Sequence, residues 1–330
     1  MIKTALMKQI IPPIDKKLIE QELTEERFLR KTNFGGNELY VFNHSEAPNL
    51  MREVGRLREL SFRTAGGGTG EEVDIDEFDI SEDPYHQLIV WDPQHKEILG
   101  GYRFYAPYKG QSGADIVKKL STSHLFNFSE KFQEEYMPYM IELGRSFVQP
   151  IYQSTARARK GIYALDNLWD GLGALVVEHP EMKYFFGKVT MYTHFNKDAR
   201  NILLYFLQKY FPDPEHFVTP IKPLDLGWDQ LALEQLFVGK DYKEDYKILS
   251  KEIRALKENV PPLINAYMNL SPSMKSFGTT INDEFGEVEE TGILITVAEI
   301  YPEKVERHVS NYKRVRYFLK RDKMFFPKHK

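Results

Sequence analysis

Hydrophobic positions along this chain recur with two periods, and their alternation lays out a mixed domain. Across residues 47–63, Leu50, Val54 and Leu57 share one face at helical spacing, and Pro48 suits the first turn. Residues 162–177 predict a second amphipathic helix, with Leu165, Leu168, Trp169, Leu172, Leu175 and Val176 on one stripe. Residues 198–211 predict a third. Strand patterns lie between and around them. Residues 39–42 form a short strand, and 87–91 and 97–105 form a hairpin turning through 92–96. Residues 139–148 make a strand stopped by Pro150, followed by strands at 184–190 and 293–297. The Gly66-Gly67-Gly68-Thr69-Gly70 run reads as a flexible loop and lacks the Gly-Lys-Ser/Thr of a phosphate-binding loop.

This order predicts an α/β (α+β) domain around one central mixed sheet. Residues 1–36 read as a polar, partly helical N-terminal extension. Residues 37–312 read as the main domain, with a helical insertion at about 212–258 opened by Pro212, Pro214, Pro220 and Pro223. Residues 313–330 read as a basic, aromatic tail.

Composition narrows the function classes. The chain has 330 residues, 42% hydrophobic and 28% charged, which is ordinary for a globular protein with room for a sizeable core. The absence of cysteine removes disulfides, cysteine zinc sites and cysteine nucleophiles, and fits a reducing compartment. No signal peptide is read in residues 1–13. The continuously apolar run at 202–207 is far shorter than the ~20 residues of a membrane span, so a cytoplasmic location is expected. A net charge of −4 argues against nucleic-acid binding. The nine histidines show no metal-ligand spacing, and no metal is expected. From Lys313 to Lys330 eight Lys/Arg stand against the single acid Asp322, with Tyr312, Tyr317, Phe318, Phe325 and Phe326 close by. Such a tail suits peripheral binding to an anionic membrane surface, or else a solvated terminal helix.

Glu142-Leu143-Gly144-Arg145-Ser146 is the densest polar signal. A Glu and an Arg inside an otherwise apolar strand are costly unless paired or used. Residues three apart in a regular strand face opposite sides, but a bulge at Gly144 would bring Glu142 and Arg145 to one side. They are either a structural ion pair or part of a site. Asp76-Glu77-Phe78-Asp79 is a second cluster. Arg103 follows two glycines that let a ligand or another backbone approach, and Arg58 lies on the polar side of the first helix.

Taken in order, Arg58 to Phe62, Asp76 to Asp79, Gly101-Tyr102-Arg103 and Glu142 to Arg145 resemble the acyl-homoserine-lactone synthases and N-acyl amino acid synthases, which share the GNAT-type fold. Tyr85-His86-Gln87-Leu88-Ile89-Val90, Val148-Gln149-Pro150-Ile151-Tyr152, Tyr184 to Val189 and Pro261 to Tyr267 resemble the ornithine-lipid branch, often labelled hemolysin-like, and the overall wording of the chain is most similar to its glycine-lipid members. The resemblance spans roughly residues 50–310. It implies a GNAT-like acyltransferase fold whose two middle strands splay into a V. It also implies transfer of a 3-hydroxyacyl chain from acyl carrier protein to the amine of an amino acid. Glycine is the expected acceptor, with ornithine and then S-adenosylmethionine as alternatives.

On this basis Glu142 is the candidate general base, acting through a water, and Arg145 holds its carboxylate. Backbone amides freed by the bulge in the strand through Ser146 stabilise the oxyanion. Arg58 or Arg103 clamps the acceptor carboxylate, with Asp76 and Asp79 orienting those arginines. Donor-binding candidates are Phe147, Val148, Arg157, Arg159, Lys160 and Gly161. The last stretch has one glycine where acetyltransferases of this fold carry a Gln/Arg-x-x-Gly-x-Gly/Ala loop. The acyl-phosphopantetheine donor is therefore expected on acyl carrier protein ahead of CoA, with no bound cofactor. Two other classes fit poorly. Serine acyl hydrolysis lacks its Gly-x-Ser-x-Gly, and a non-enzymatic membrane-active protein lacks an insertion segment.

Overall fold

The computed structural model describes residues 7–153, 161 and 163–313. Eight strands form the central sheet: β1 (Phe28–Lys31), β2 (Glu38–Phe42), β3 (His86–Asp92), β4 (Glu97–Tyr105), β6 (Met140–Val148), β7 (Tyr184–Met191), β9 (Lys275–Asn282) and β10 (Val288–Thr296). A small second sheet joins β5 (Phe126–Phe128) to β8 (Val218–Pro220). The central order is β1-β2-β3-β4-β6-β7-β10-β9. Every neighbouring pair is antiparallel except β6 with β7, which is parallel.

The helices are α1 (Lys16–Glu22), α2 (Pro48–Thr64), α3 (Glu77–Ile80), α4 (Gly113–Lys119), α5 (Glu130–Glu135), α6 (Pro150–Gln153), α7 (Ala164–Glu178), α8 (Lys197–Tyr210), α9 (Gln230–Leu236), α10 (Tyr242–Ala255), α11 (Pro262–Met268) and α12 (Pro302–Val305). Strand alternation sends side chains to two cores. On one side Leu88, Val90, Leu143 and Ile293 pack under α7 and α8, with Leu249 and Ile253 of α10 behind. On the other side Ile89, Trp91, Ile98 and Phe147 pack under α2 through Leu50, Val54 and Leu57. An aromatic cluster around Phe132, Phe186 and Phe277 extends this second side. Leu50, Val54 and Leu57 of α2 and Leu168, Leu172 and Leu175 of α7 are buried, while Leu165, Trp169 and Val176 are half-buried.

Several sequence expectations change. The sheet begins inside the expected N-terminal extension, because β1 pairs with β2. Residues 212–258 are not purely helical, since β8 lies within them. Edge strand β9 was not expected, its polar Lys275, Ser276, Thr279, Thr280 and Asn282 masking the pattern. Tyr312 is buried, donates to Glu178 Oε1 at 2.6 Å and lies under the Arg30 guanidinium. Its ring thus packs on the domain, while residues 314–330 of the expected tail lie outside the described residues. Among the described residues no helix is long and apolar enough to cross a membrane.

The parallel β6–β7 seam positions the site. Cα pairing runs only from Met140–Tyr184 to Leu143–Gly187, four register pairs. Gly187 allows this approach, for a Cβ there would stand 2.7 Å from the Leu143 carbonyl oxygen. Beyond the seam, β6 stays with β4 and β7 stays with β10. The two strands open into the expected V, with β6 as one wall.

Candidate active site

A bulge interrupts β6 at the mouth of the V. Phe147 pairs with Gly101 and Gly144 with Arg103, so Arg145 and Ser146 together face the single residue Tyr102. Arg145 takes φ +48°, a left-handed conformation unfavourable for an arginine. Its side chain holds it there. Nε donates to Asp74 Oδ2 at 2.8 Å, Nη2 donates to Asp76 Oδ2 at 3.3 Å, and the guanidinium sits 4.4 Å from the Phe285 ring centroid.

The bulge brings Glu142 and Arg145 to the α2 side of the sheet, as expected, but they are not partners. Glu142 is buried and accepts from the Tyr85 hydroxyl and from the backbone N–H groups of Ser121 (3.1 Å) and Thr122 (3.0 Å). Burial pushes its carboxyl up, while Tyr85, Thr122 and Ser121 pull against that. Glu142 therefore fastens the loop after α4 to the back of β6.

Arg58 and Arg103 are buried too. Arg58 Nη1 donates to Asp79 Oδ2 at 3.1 Å and Nη2 to Gln87 Oε1. Arg103 Nη1 donates to Asp76 Oδ1 at 2.6 Å and reaches Asp79 Oδ2 at 3.3 Å. Asp76 caps α3 in a capping box with Asp79. Burial disfavours the ionised Asp79, yet Arg58 and Arg103 outweigh it and hold the carboxyl well below its usual range. The clamp expected of Arg58 or Arg103 is thus corrected. Both donate to Asp79 of this chain, and Arg103 also meets Asp76, which in turn holds Arg145.

A cavity of about 470 Å³ occupies the V. Arg145, Ser146, Phe147, Val148 and Gly161 line it. Glu142, Arg58, Arg103, Asp76 and Asp79 stand behind its wall rather than on it. Arg157, Arg159 and Lys160 lie outside the described residues. Apolar lining comes from Leu165 and Leu168 of α7 and from Leu263, Ile264 and Tyr267 of α11, on the sheet side away from α2. The Tyr102, Tyr267 and Ser146 hydroxyls gather there. Burial pushes both phenols up, so both remain protonated donors at neutral pH.

Two lining residues escaped sequence reasoning. Lys188 of β7 and Glu290 of β10 pair at 2.5 Å on the wall opposite Arg145. Glu290 Oε2 also accepts from Thr190 Oγ1 at 2.9 Å. Burial pushes the Lys188 ammonium down against the pull of Glu290, with Arg145 adding to the fall. Lys188 in Tyr184-Phe185-Phe186-Gly187-Lys188-Val189 carries the same signal as Glu142, a charge inside an apolar strand.

Comparison with known proteins agrees with this geometry. The family model of the acetyltransferase (GNAT) domain matches residues 57–160, from the middle of α2 past the end of β6. A Glycine N(alpha)-acyltransferase of Phocaeicola vulgatus is 54% identical, over 93% of this chain and 94% of its own. Another, from Bacteroides thetaiotaomicron, is 56% identical over 93% of this chain and 91% of its own. No solved structure gives a significant match. With a splayed parallel seam, a bulged strand at its mouth and relatives alike over nearly the whole length, this chain is an acyltransferase and belongs to the GNAT-fold N-acyltransferase family of these two proteins.

Proposed function

We propose that the chain transfers a long, 3-hydroxylated acyl group from an acyl-phosphopantetheine thioester to the amine of glycine, with acyl carrier protein as the donor. The observation that carries this reading is the division of the cavity. One end is apolar, between α7 and α11, and suits an acyl chain. The other is charged, with Arg145, Lys188 and Glu290, and suits a small zwitterion. The names of the two relatives point to the same acceptor.

The thioester carbonyl lies at the bulge in this reading. The amides of Arg145 and Ser146 share one partner residue on β4, which releases N–H capacity toward an oxyanion. The amine attacks the carbonyl carbon, the tetrahedral intermediate collapses, and the thiol leaves. Glu142 acts as a positioning residue behind β6, where it immobilises Ser121 and Thr122.

Purified protein incubated with 3-hydroxyacyl carrier protein or the matching acyl-CoA, and with glycine, ornithine or S-adenosylmethionine in turn, tests this by mass spectrometry. N-acylglycine from the carrier-protein donor is the expected product. Preferential acylation of ornithine, or release of a homoserine lactone, would overturn the choice of acceptor. Efficient turnover with acyl-CoA alone would overturn the choice of donor.

A further inference from the structure

We propose that Lys188 and Glu290 are the acceptor-recognition pair, the lysine binding the carboxylate of an α-amino acid and the glutamate binding its ammonium and taking its first proton. The inference rests on the N-acylation reading above and adds the residues that choose the substrate class.

Three observations converge on it. First, the pair lies where an acceptor must enter. Lys188, Thr190 and Glu290 belong to the half of the V that faces the β6 bulge, and Lys188 and Glu290 line the same cavity as Arg145 and Ser146. Second, the pair is nearly dry, with side chains 12% and 1% exposed. A dry ion pair is not favourable enough to explain itself as a stabilising device, since well-packed apolar residues usually do as well. Third, the pair has bonding capacity left on both sides. Glu290 accepts from Lys188, from Thr190 Oγ1 at 2.9 Å and from Asn282 Nδ2 at 3.5 Å, three donors against the roughly four lone-pair sites of a carboxylate. Lys188 has a single hydrogen-bond acceptor among the described residues, Glu290, while an ammonium carries three donors. A nearly buried cation on a cavity wall with donors to spare calls for an anion. A carboxylate beside an amine fits, because the neighbouring Glu290 then meets the positive end of the same small molecule.

The chemistry balances without a further reactant. The bound amino acid arrives as an ammonium. Glu290 accepts one proton and frees the nitrogen lone pair. The nitrogen forms a bond to the thioester carbonyl carbon, the C–S bond breaks, and the sulfur leaves as a thiolate that takes the second amine proton. Glu290 then returns its proton to solvent, so one amide, one thiol and one released proton account for the reaction. Lys188 keeps the carboxylate turned from the reacting carbon. The arrangement selects acceptors bearing a carboxylate next to the amine.

Glycine and glycinamide separate the roles, because only glycine offers a carboxylate. For Lys188→Met the KM for glycine should rise at least about 30-fold, the scale of a lost buried charge contact. The kcat/KM for glycinamide should fall by a clearly smaller factor than that for glycine. Glu290→Gln should instead lower kcat for both acceptors by about 10²-fold or more, and its pH profile should follow ionisation of the free amine. The double variant Lys188→Met/Glu290→Gln leaves no unpaired charge. It should fold, by its melting curve, and show no preference for glycine over glycinamide. Retention of the wild-type glycine preference in either lysine variant, or an equal loss for both acceptors in Lys188→Met, overturns the proposal. Failure of the wild-type protein to acylate glycine at all overturns the N-acylation reading itself, and the two failures are told apart by that one control.

Discussion

The two walls of the cavity carry similar charges on unequal foundations. On the β6 side, Arg145 leans on Asp74 and Asp76, Asp76 leans on Arg103, and Arg103 and Arg58 share Asp79. The network runs from the cavity to the buried face of α2. On the β7 and β10 side there is one lysine, one glutamate and the flanking Thr190 and Asn282. Depth explains the difference in use. The β6 wall must hold a bulge with an arginine at φ +48°, and such strain persists only where surroundings over-determine it. Most of its charge is therefore spent inside the protein. The shallow wall has no such strained arginine to hold and leaves donors over.

Removing the keystone of the deep wall should do the most damage. Asp79→Ala leaves Arg58 and Arg103 buried without their shared carboxylate, and a loss of about 3–5 kcal/mol of folding stability is expected from denaturant unfolding. A loss below about 1 kcal/mol would show the network to be no deeper in energy than its opposite. Next comes Arg145→Lys. Charge survives, but the fork that meets Asp74 and Asp76 together does not, so the bulge loses its pin. The protein should stay folded while kcat/KM falls by roughly 10²-fold, the typical cost of a small misplacement near the chemistry. Unchanged kcat/KM would detach the bulge from catalysis. The acid limb of stability gives the smallest effect. Asp79 has a lowered pKa in the folded protein, so its contribution is full above the ordinary carboxylate value of about 3.9 and is lost as pH falls through the lower folded value. Unfolding free energy should decline below about pH 4, and Asp79→Asn should remove part of that slope.

The same two walls show what was legible in the sequence. Glu142 and Arg145 stood out because charge inside an apolar strand needs a reason, and the glycine between them suggested the bulge. Their partners were not legible. Asp74 lies 71 residues from Arg145, and Tyr85 lies 57 residues from Glu142, so nothing local links them. Arg58 and Arg103 were singled out but given a ligand, because sequence cannot show that Asp79 and Gln87 already take the Nη donors of Arg58. Glu290 was invisible for the opposite reason. It sits in Glu287-Val288-Glu289-Glu290-Thr291, which reads as a solvated acidic run. Only the pairing of β10 with β7, which sets Glu290 against Thr190, turns it inward. Long helices such as α2 and α7 were readable because an apolar stripe repeats along them, with Leu50, Val54 and Leu57 or Leu168, Leu172 and Leu175 buried. Four-residue β1 is too short to show a period.

The shortness of the parallel seam gives the sheet a pivot. Five antiparallel strands on one side and three on the other meet along four register pairs. From that pivot Gly144–Val148 of β6 extends as an arm of roughly 16 Å, at about 3.3 Å per residue. A tilt of about 4° between the halves would then move the far end of the arm by about 1 Å, enough to matter where acyl and amine groups must meet. Gly187 is the bearing of this lever. Any side chain there pushes on the Leu143 carbonyl oxygen and acts as a wedge at the fulcrum, widening the angle between the arms.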